Sequence, residues 1–159
     1  MAPAPIETWN RALGAAGSRF VRLGATVRTH PRPQMSGDRP GPGFDPVVIH
    51  YAKGGKLRWS AGGKAAVWYA PPAHLEPGGG LHPTQKSLRL IRDLVRDFTR
   101  EGELVLDPFA GSGTTAIACA ELQRNFIGYE RDPIYHASAI TRISMAGAGF
   151  TFSQTSAGQ

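Results

Sequence analysis

The chain is short of cysteine, of acidic residues and of long apolar runs, and these shortages exclude several classes of protein. Cys119 is its only cysteine in 159 residues, which excludes a disulfide framework, and its scattered histidines lack metal-ligand spacing, so we expect no metal site. No apolar run approaches the roughly 20 residues of a membrane span. The first residues lack the apolar segment of a signal peptide. We therefore expect a cytoplasmic protein without a membrane partner.

What is present is a globular composition with an uneven charge. Hydrophobic residues make up 41% of the sequence, enough for a core, and the length predicts one structural domain. The net charge is +6, and the whole excess lies in residues 1–80, where ten Lys and Arg face four acids. Residues 81–159 hold eight of each sign. A polyanion partner and a solubilising surface would each explain this asymmetry.

The most informative segment is residues 105–115, Val-Leu-Asp-Pro-Phe-Ala-Gly-Ser-Gly-Thr-Thr. Its apolar start predicts a buried strand that ends at Asp107, and Thr114 begins a run of helical composition. Between them, Gly111 and Gly113 permit a tight turn and let a ligand approach the backbone with no Cβ in the way. The free N–H groups at the helix start are electropositive, so the segment predicts a site for a nucleoside-bearing cofactor.

An acid after the next strand supports this prediction. Residues 126–130 indicate a strand ending in Glu130, which follows Asp107 by 23 residues and is placed to accept hydrogen bonds from ribose hydroxyls. Taken alone, the Gly-x-Gly-x-x-Ala of residues 111–116 is a loose match to a dinucleotide loop, as in a nicotinamide enzyme. It also fits a tight strand–helix turn with no ligand.

The wider pattern resembles one family, the DNA amino-methyltransferases that methylate adenine N6 or cytosine N4. Residues 107–115 are similar to the family's cofactor loop, and so are two flanking motifs: His-Pro-Thr-Gln-Lys at residues 82–86 and Gly-Tyr-Glu-Arg-Asp-Pro-x-Tyr at residues 128–135. Their order is that of the circularly permuted (β-class-like) members of phage and bacterial type. The resemblance implies S-adenosyl-L-methionine as cofactor and an α/β, Rossmann-like methyltransferase fold.

The resemblance also implies roles for individual residues. The loop would wrap the methionine part of the cofactor, and Glu130 would bind the ribose. The implied cofactor-binding residues are Asp107, Pro108, Phe109, Ala110, Gly111, Ser112, Gly113, Thr114, Glu130, His82, Thr84 and Lys86. A plain helix entry, with Thr84 as a cap, is the other interpretation of residues 82–86.

Beside this resemblance, the basic half of the chain predicts double-stranded DNA as a partner. Residues 20–29 and 46–52 predict two strands joined by a proline-rich loop, and residues 53–70 predict a small basic hairpin on the DNA-facing side. Trp59 in that hairpin would either stack on a base or pack internally. The candidate DNA-binding residues are Arg32, Arg39, Lys53, Lys56 and Arg58.

Helical periodicity is clearest just after residues 82–86. Its apolar positions predict a helix that packs on the sheet: Leu88, Ile91, Leu94, Val95 and Phe98. The charged positions are expected on a solvated face, with Arg89 attracting Asp93: Arg89, Arg92, Asp93, Arg96 and Asp97. Residues 6–16 predict a short helix, and Asp132 with Pro133 predicts the start of another.

The sequence lacks the catalytic tetrapeptide that the resemblance would require, an acidic, Ser or Asn residue followed by Pro-Pro and an aromatic, which acts on a flipped base. Its only Pro-Pro, at residues 71–72, lies between alanines. We therefore expect no catalytic residue, a sheet left incomplete because the central catalytic strand is absent, and an N-terminal truncation.

These observations predict a division of the chain and a function. Residues 1–80 would be the basic, DNA-facing portion with target-side loops, residues 81–150 the cofactor-binding portion, and residues 151–159 a frayed tail. The predicted function is the S-adenosyl-L-methionine-binding portion of a site-specific DNA methyltransferase, inactive alone, with a complementary chain that carries the catalytic strand as a further partner. The alternative is a degenerate module that binds DNA or a partner without chemistry.

Overall fold

The fold is a mixed α/β arrangement of two small sheets around a shared helix. The computed structural model describes residues 6–31, 33–76 and 85–146. In chain order the elements are α1 (Ile6–Ala15), β1 (Ser18–Arg28), β2 (Phe44–Ala52), β3 (Val67–Ala70), a 3-10 turn (Ala73–Leu75), α2 (Leu88–Phe98), β4 (Leu104–Asp107), α3 (Thr114–Glu121), β5 (Asn125–Gly128) and α4 (Pro133–Met145). No helix in the described ranges is long and apolar enough to cross a membrane.

The first sheet has the strand order β2-β1-β3. β1 and β2 pair antiparallel with one register shift between Phe20 and Arg22, which confirms the two predicted strands. The predicted hairpin of residues 53–70 is wrong. Residues 53–66, all of them described, contain no strand, and β3 pairs in parallel with β1.

Close packing between β1 and β3 explains this departure from the predicted hairpin. Trp68 is buried against α2, and its ring lies over β1 at Gly24, where a Cβ would stand 2.7 Å from Trp68 Cζ3. The glycine-rich and lysine-rich segment before β3 offers no alternating apolar face for a strand of its own.

The second sheet consists, among the described residues, of β4 and β5 in parallel. On one face Val105 and Phe126 pack against Ala118 and Cys119 of α3. The opposite face carries Leu104, Leu106 and Ile127, which are 59%, 60% and 43% exposed. Parallel strands are ordinarily covered on both faces, so this bare apolar face marks the sheet as incomplete, as the sequence predicted.

α2 lies between the two sheets and joins their cores. Leu90 packs with Ile49 and Trp68 of the first sheet, whereas Val95 packs with the α3 residues that cover the second. The helix begins at Ser87, whose side chain accepts a hydrogen bond from the Leu90 N–H. Ser87 is therefore the N-cap of α2, whereas Thr84, the predicted cap, lies outside the described residues.

The expectation of a wholly solvated charged face on α2 is wrong at Asp97. Asp97 is 4% exposed as a whole residue. Its Oδ2 accepts a hydrogen bond from Trp68 Nε1 at 2.7 Å and forms an ion pair with Lys64. Asp93, expected to attract Arg89, instead pairs with Arg96 at 2.8 Å. Asp97 departs from the prediction because its partners, Lys64 and Trp68, lie outside α2. Asp93 departs from it because its partner, Arg96, is three residues further along the same helix.

Candidate cofactor site

The candidate site lies where β4 ends and α3 begins. Asp107, the last residue of β4, accepts hydrogen bonds from the Phe109 N–H at 3.0 Å and from the Thr115 hydroxyl at 2.6 Å. One carboxylate thus ties the start of the loop to the first turn of α3. The loop between them is therefore fixed at its base by the Asp107 side chain.

The two loop glycines have different surroundings although both have positive φ. At Gly113, φ is +75° and a Cβ would stand 2.9 Å from Ile143 Cδ1, so this glycine allows α4 to pack tightly behind the loop. At Gly111, φ is +52° and a Cβ would meet only the Phe109 carbonyl oxygen, at 3.9 Å. Gly111 therefore leaves open space on the outer side, the property that a ligand approaching the backbone needs.

Glu130 connects the loop to the end of β5. One of its carboxylate oxygens accepts from the Gly111 N–H at 2.9 Å and the other from the Asp132 N–H at 2.8 Å. Each carboxylate oxygen has a second acceptor position, so capacity for a hydroxyl donor remains. Asp132 caps α4 through the N–H groups of Ile134 and Tyr135, with Pro133 in the first turn, which confirms the predicted helix start.

A cavity of about 340 Å³ lies over this loop, within the usual size of small-molecule sites. Its described lining is drawn from the segment before α2, from α2, from the loop and from α3: Gln85, Lys86, Ile91, Asp107, Phe109, Ala110, Gly111, Ser112, Thr114 and Thr115. The ring of Phe109 is 82% exposed, and an exposed aromatic ring is suited to stacking on a planar base.

The structure brings most of the predicted cofactor residues to one place. Pro108 is exposed in the same loop, Gly113 is buried behind it, and Glu130 adjoins it through Gly111. His82 and Thr84 lie outside the described residues. Lys86 is exposed and lines the cavity.

Sequence reasoning missed Ile91 and Thr115, and it placed Gln85 in the motif of residues 82–86 without naming it as a binding residue. Ile91 was assigned to the packing face of α2, and a periodic apolar pattern carries no signal that one member faces a cavity. Thr115 follows the loop directly, and its hydroxyl could have been suspected as a partner for Asp107. Cys119, on the buried side of α3, is excluded as a nucleophile because burial raises the pKa of its thiol to about 11.

The candidate DNA-binding residues are dispersed over the basic half. Lys53 and Lys56 are exposed, and Arg39 is exposed beside Asp38 at 3.4 Å. Arg58 forms an ion pair with Glu103, which attaches the segment of residues 53–66 to the turn before β4. Arg32 lies outside the described residues.

Of the two alternatives for Trp59, internal packing is observed. Its ring makes edge contacts with Phe98 and Trp68, at centroid distances of 5.1 and 6.4 Å. Its indole N–H donates to the Gly62 carbonyl oxygen at 2.6 Å. The aromatic residue of the basic segment thus anchors that segment to α2.

Comparison with known proteins agrees with this geometry. The chain is 47% identical over 66 residues to the type II methyltransferase M.HindIII of Haemophilus influenzae, covering 42% of this chain and 21% of that protein. It is 38% identical over 89 residues to the type II methyltransferase M.BglI of Bacillus subtilis, covering 56% of this chain and 25% of that protein. The chain therefore spans about a fifth to a quarter of the length of these curated relatives.

The fold comparison extends the similarity over nearly the whole chain. The crystal structure of an M1.HpyAVI–SAM complex superposes with a TM-score of 0.76 at 29% identity, covering 90% of this chain and 71% of that chain. The profile of the DNA methylase family (N6/N4 methyltransferases) matches residues 48–141, more than half of the sequence. The chain belongs to the DNA methylase family.

Proposed function

We propose that this chain is the S-adenosyl-L-methionine-binding portion of a site-specific DNA methyltransferase of the permuted type, acting on adenine N6 or cytosine N4. The observation that carries the proposal is the cavity over the loop between β4 and α3, with Glu130 beside it. Within the family, the order of residues 82–86 before the loop supports the permuted class. The family membership favours this cofactor over a nicotinamide.

The residues present fit this cofactor. Gly111 leaves open space where the backbone faces the cavity, and Glu130 retains acceptor capacity for the ribose hydroxyls. The exposed ring of Phe109 offers a face for the adenine. When bound, the cofactor supplies a methyl group activated by the adjoining sulfonium. The chain's own part is to hold and orient that group at the open side of the loop.

The chain alone is proposed to bind the cofactor without transferring the methyl. Transfer to an exocyclic amino group requires residues that hold the flipped base, and the sequence contains no tetrapeptide suited to that task. The bare apolar face of Leu104, Leu106 and Ile127 supports a missing structural complement. We assign that complement to a segment carrying the catalytic strand, on the same polypeptide or on a separate chain.

The test combines titration calorimetry with a transfer assay. We expect the wild-type chain to bind S-adenosyl-L-methionine and to show no labelled methyl transfer to DNA. Glu130→Gln should weaken binding about tenfold to a hundredfold, because hydrogen bonds to a charged group contribute about 1.5–3 kcal/mol. The control is Glu101→Gln, which removes the same charge from an exposed turn. Absence of binding would refute the proposed cofactor site. Methyl transfer by the pure chain would refute its proposed inactivity.

A second candidate, a module that binds DNA without chemistry, is favoured by one observation, the confinement of the excess positive charge to residues 1–80. It predicts DNA affinity that falls steeply with salt, with or without cofactor. Replacing Lys53 and Lys56 by alanine should lower the slope of log affinity against log salt by about 1 for each lost phosphate contact. An unchanged slope would remove these two lysines from the DNA interface.

A further inference from the structure

Behind the cofactor loop lies a small polar cluster inside the protein. Of the six described polar or charged residues that are buried, three belong to this cluster: Ser112, Thr114 and Arg142. Arg142, on α4, is 9% exposed, and its Nη1 donates to the Ser112 carbonyl oxygen at 3.0 Å and to the Thr114 hydroxyl at 2.9 Å. Burying a guanidinium costs free energy unless its N–H groups donate hydrogen bonds. Those of Arg142 Nη1 donate to the loop.

From this geometry we infer that Arg142 is a positioning residue for the cofactor loop, which it holds from behind without touching the ligand. The inference rests on the cofactor site proposed above. None of the described residues that line the cavity is on α4, whereas Ser112 and Thr114, which accept hydrogen bonds from Arg142, both line it.

Arg142 acts on the loop through the peptide group between Ser112 and Gly113. Because the peptide between Ser112 and Gly113 is planar and trans, its C=O and N–H point in opposite directions. Arg142 holds the Ser112 C=O inward, which fixes the Gly113 N–H in its hydrogen bond to the Ala110 carbonyl oxygen at 2.9 Å. The turn at Gly111 and Gly113, whose φ values are positive, is thereby kept in a single conformation.

The negative charge of Glu76 also acts on Arg142. Burial lowers the pKa of the Arg142 guanidinium, and the negative charge of Glu76 opposes that effect. Glu76 itself binds the N-terminus of α2, accepting from the Leu88 N–H at 2.6 Å and the Ser87 hydroxyl at 2.8 Å. Glu76 therefore acts on the charge of Arg142 while it binds the start of α2, whose Ile91 lines the cavity.

The test compares Arg142→Met and Arg142→Lys with Arg96→Met, which removes the same charge from an exposed position on α2. We expect Arg142→Met to weaken S-adenosyl-L-methionine binding about tenfold, since a charge-assisted hydrogen bond is lost. It should also speed hydrogen exchange at the amides of Gly113 and Ile117 while the amides of β2 stay protected. Arg142→Lys should recover part of both effects, because an ammonium can donate to the same acceptors.

The outcomes separate this inference from the proposed function. If the wild-type chain does not bind the cofactor, the proposed function fails and the hydrogen-exchange comparison still decides the role of Arg142. Wild-type affinity in Arg142→Met, or exchange that rises equally in β2 and the loop, would overturn the inference. If Arg142→Met does not fold, Arg142→Lys and Arg142→Gln provide the same comparison.

Discussion

At the scale of single residues, the surroundings decide what an amino acid does. Gly111 and Gly113 are two positions apart in one loop and share a positive φ, yet one faces a cavity and the other is packed against Ile143. The sequence predicts ligand approach at both glycines. The residue type shows that the backbone can adopt a positive φ, but it does not show which side chains pack against each glycine. The packing role of Gly113 depends on α4, which lies about 30 residues further along the chain.

This difference predicts unequal effects of two alanine substitutions on stability and on cofactor binding. Gly113→Ala should lower the free energy of unfolding by about 2–4 kcal/mol, combining left-handed backbone strain with overpacking against Ile143. Gly111→Ala should lower the free energy of unfolding by only about 1–2 kcal/mol, through left-handed backbone strain. Its loss of cofactor-binding free energy should exceed this loss of stability. Urea unfolding and calorimetry measure the two quantities.

Ile143→Val serves as the control for the Gly113 substitution. It removes the Cδ1 atom that a new Cβ would approach at 2.9 Å, so the double variant should recover part of the lost stability. Equal losses of stability in Gly111→Ala and Gly113→Ala would contradict the assignment of the two roles.

At the scale of elements, sequence patterns predicted the strands and helices that depend on residues close together in the chain. The strands at residues 20–29 and 46–52 and the helices α2, α3 and α4 follow from periodicity and caps. The pairing of β3 with β1 did not follow, because it depends on Trp68 meeting α2 and on the absence of a Cβ at Gly24. Asp97 was misassigned for the same reason, since its partners Lys64 and Trp68 lie about 30 residues earlier in the sequence.

Asp97 is expected to hold the basic segment of residues 53–66 onto α2. Besides its side-chain contacts, its carbonyl oxygen accepts from the Ser60 N–H at 2.8 Å. Asp97→Ala leaves the buried Trp68 indole without its acceptor, so the free energy of unfolding should fall by about 1–3 kcal/mol. Asp93→Ala, which removes a pair on the outer side of the same helix, should cost less than about 1 kcal/mol. Urea unfolding of both variants measures the difference, and equal losses would show that the Asp97 contacts contribute no more than a surface pair.

At the scale of the whole molecule, the described chain is two partial sheets held together through α2. The cofactor loop could be predicted because its strand, turn and helix are contiguous in sequence. The part of the cavity lining that Ile91 contributes could not be predicted, because Ile91 reaches the cavity only through the packing of α2 between the sheets. The same packing leaves one face of the second sheet bare, and no single-sequence pattern distinguishes a covered strand face from an uncovered one.

The bare face predicts how the chain behaves in solution. Leu104, Leu106 and Ile127 form an apolar surface on a sheet in which no further described strand pairs with β4 or β5, an arrangement that favours association. The isolated chain should therefore gain mass with concentration in sedimentation velocity, and Leu106→Lys should suppress this without loss of stability. Val105→Lys, one residue away but facing Ala118 and Cys119, should instead unfold the chain, because a charge would enter the core. A wild-type chain that stays monomeric at every concentration, or unfolding by Leu106→Lys, would show that this face needs no complement.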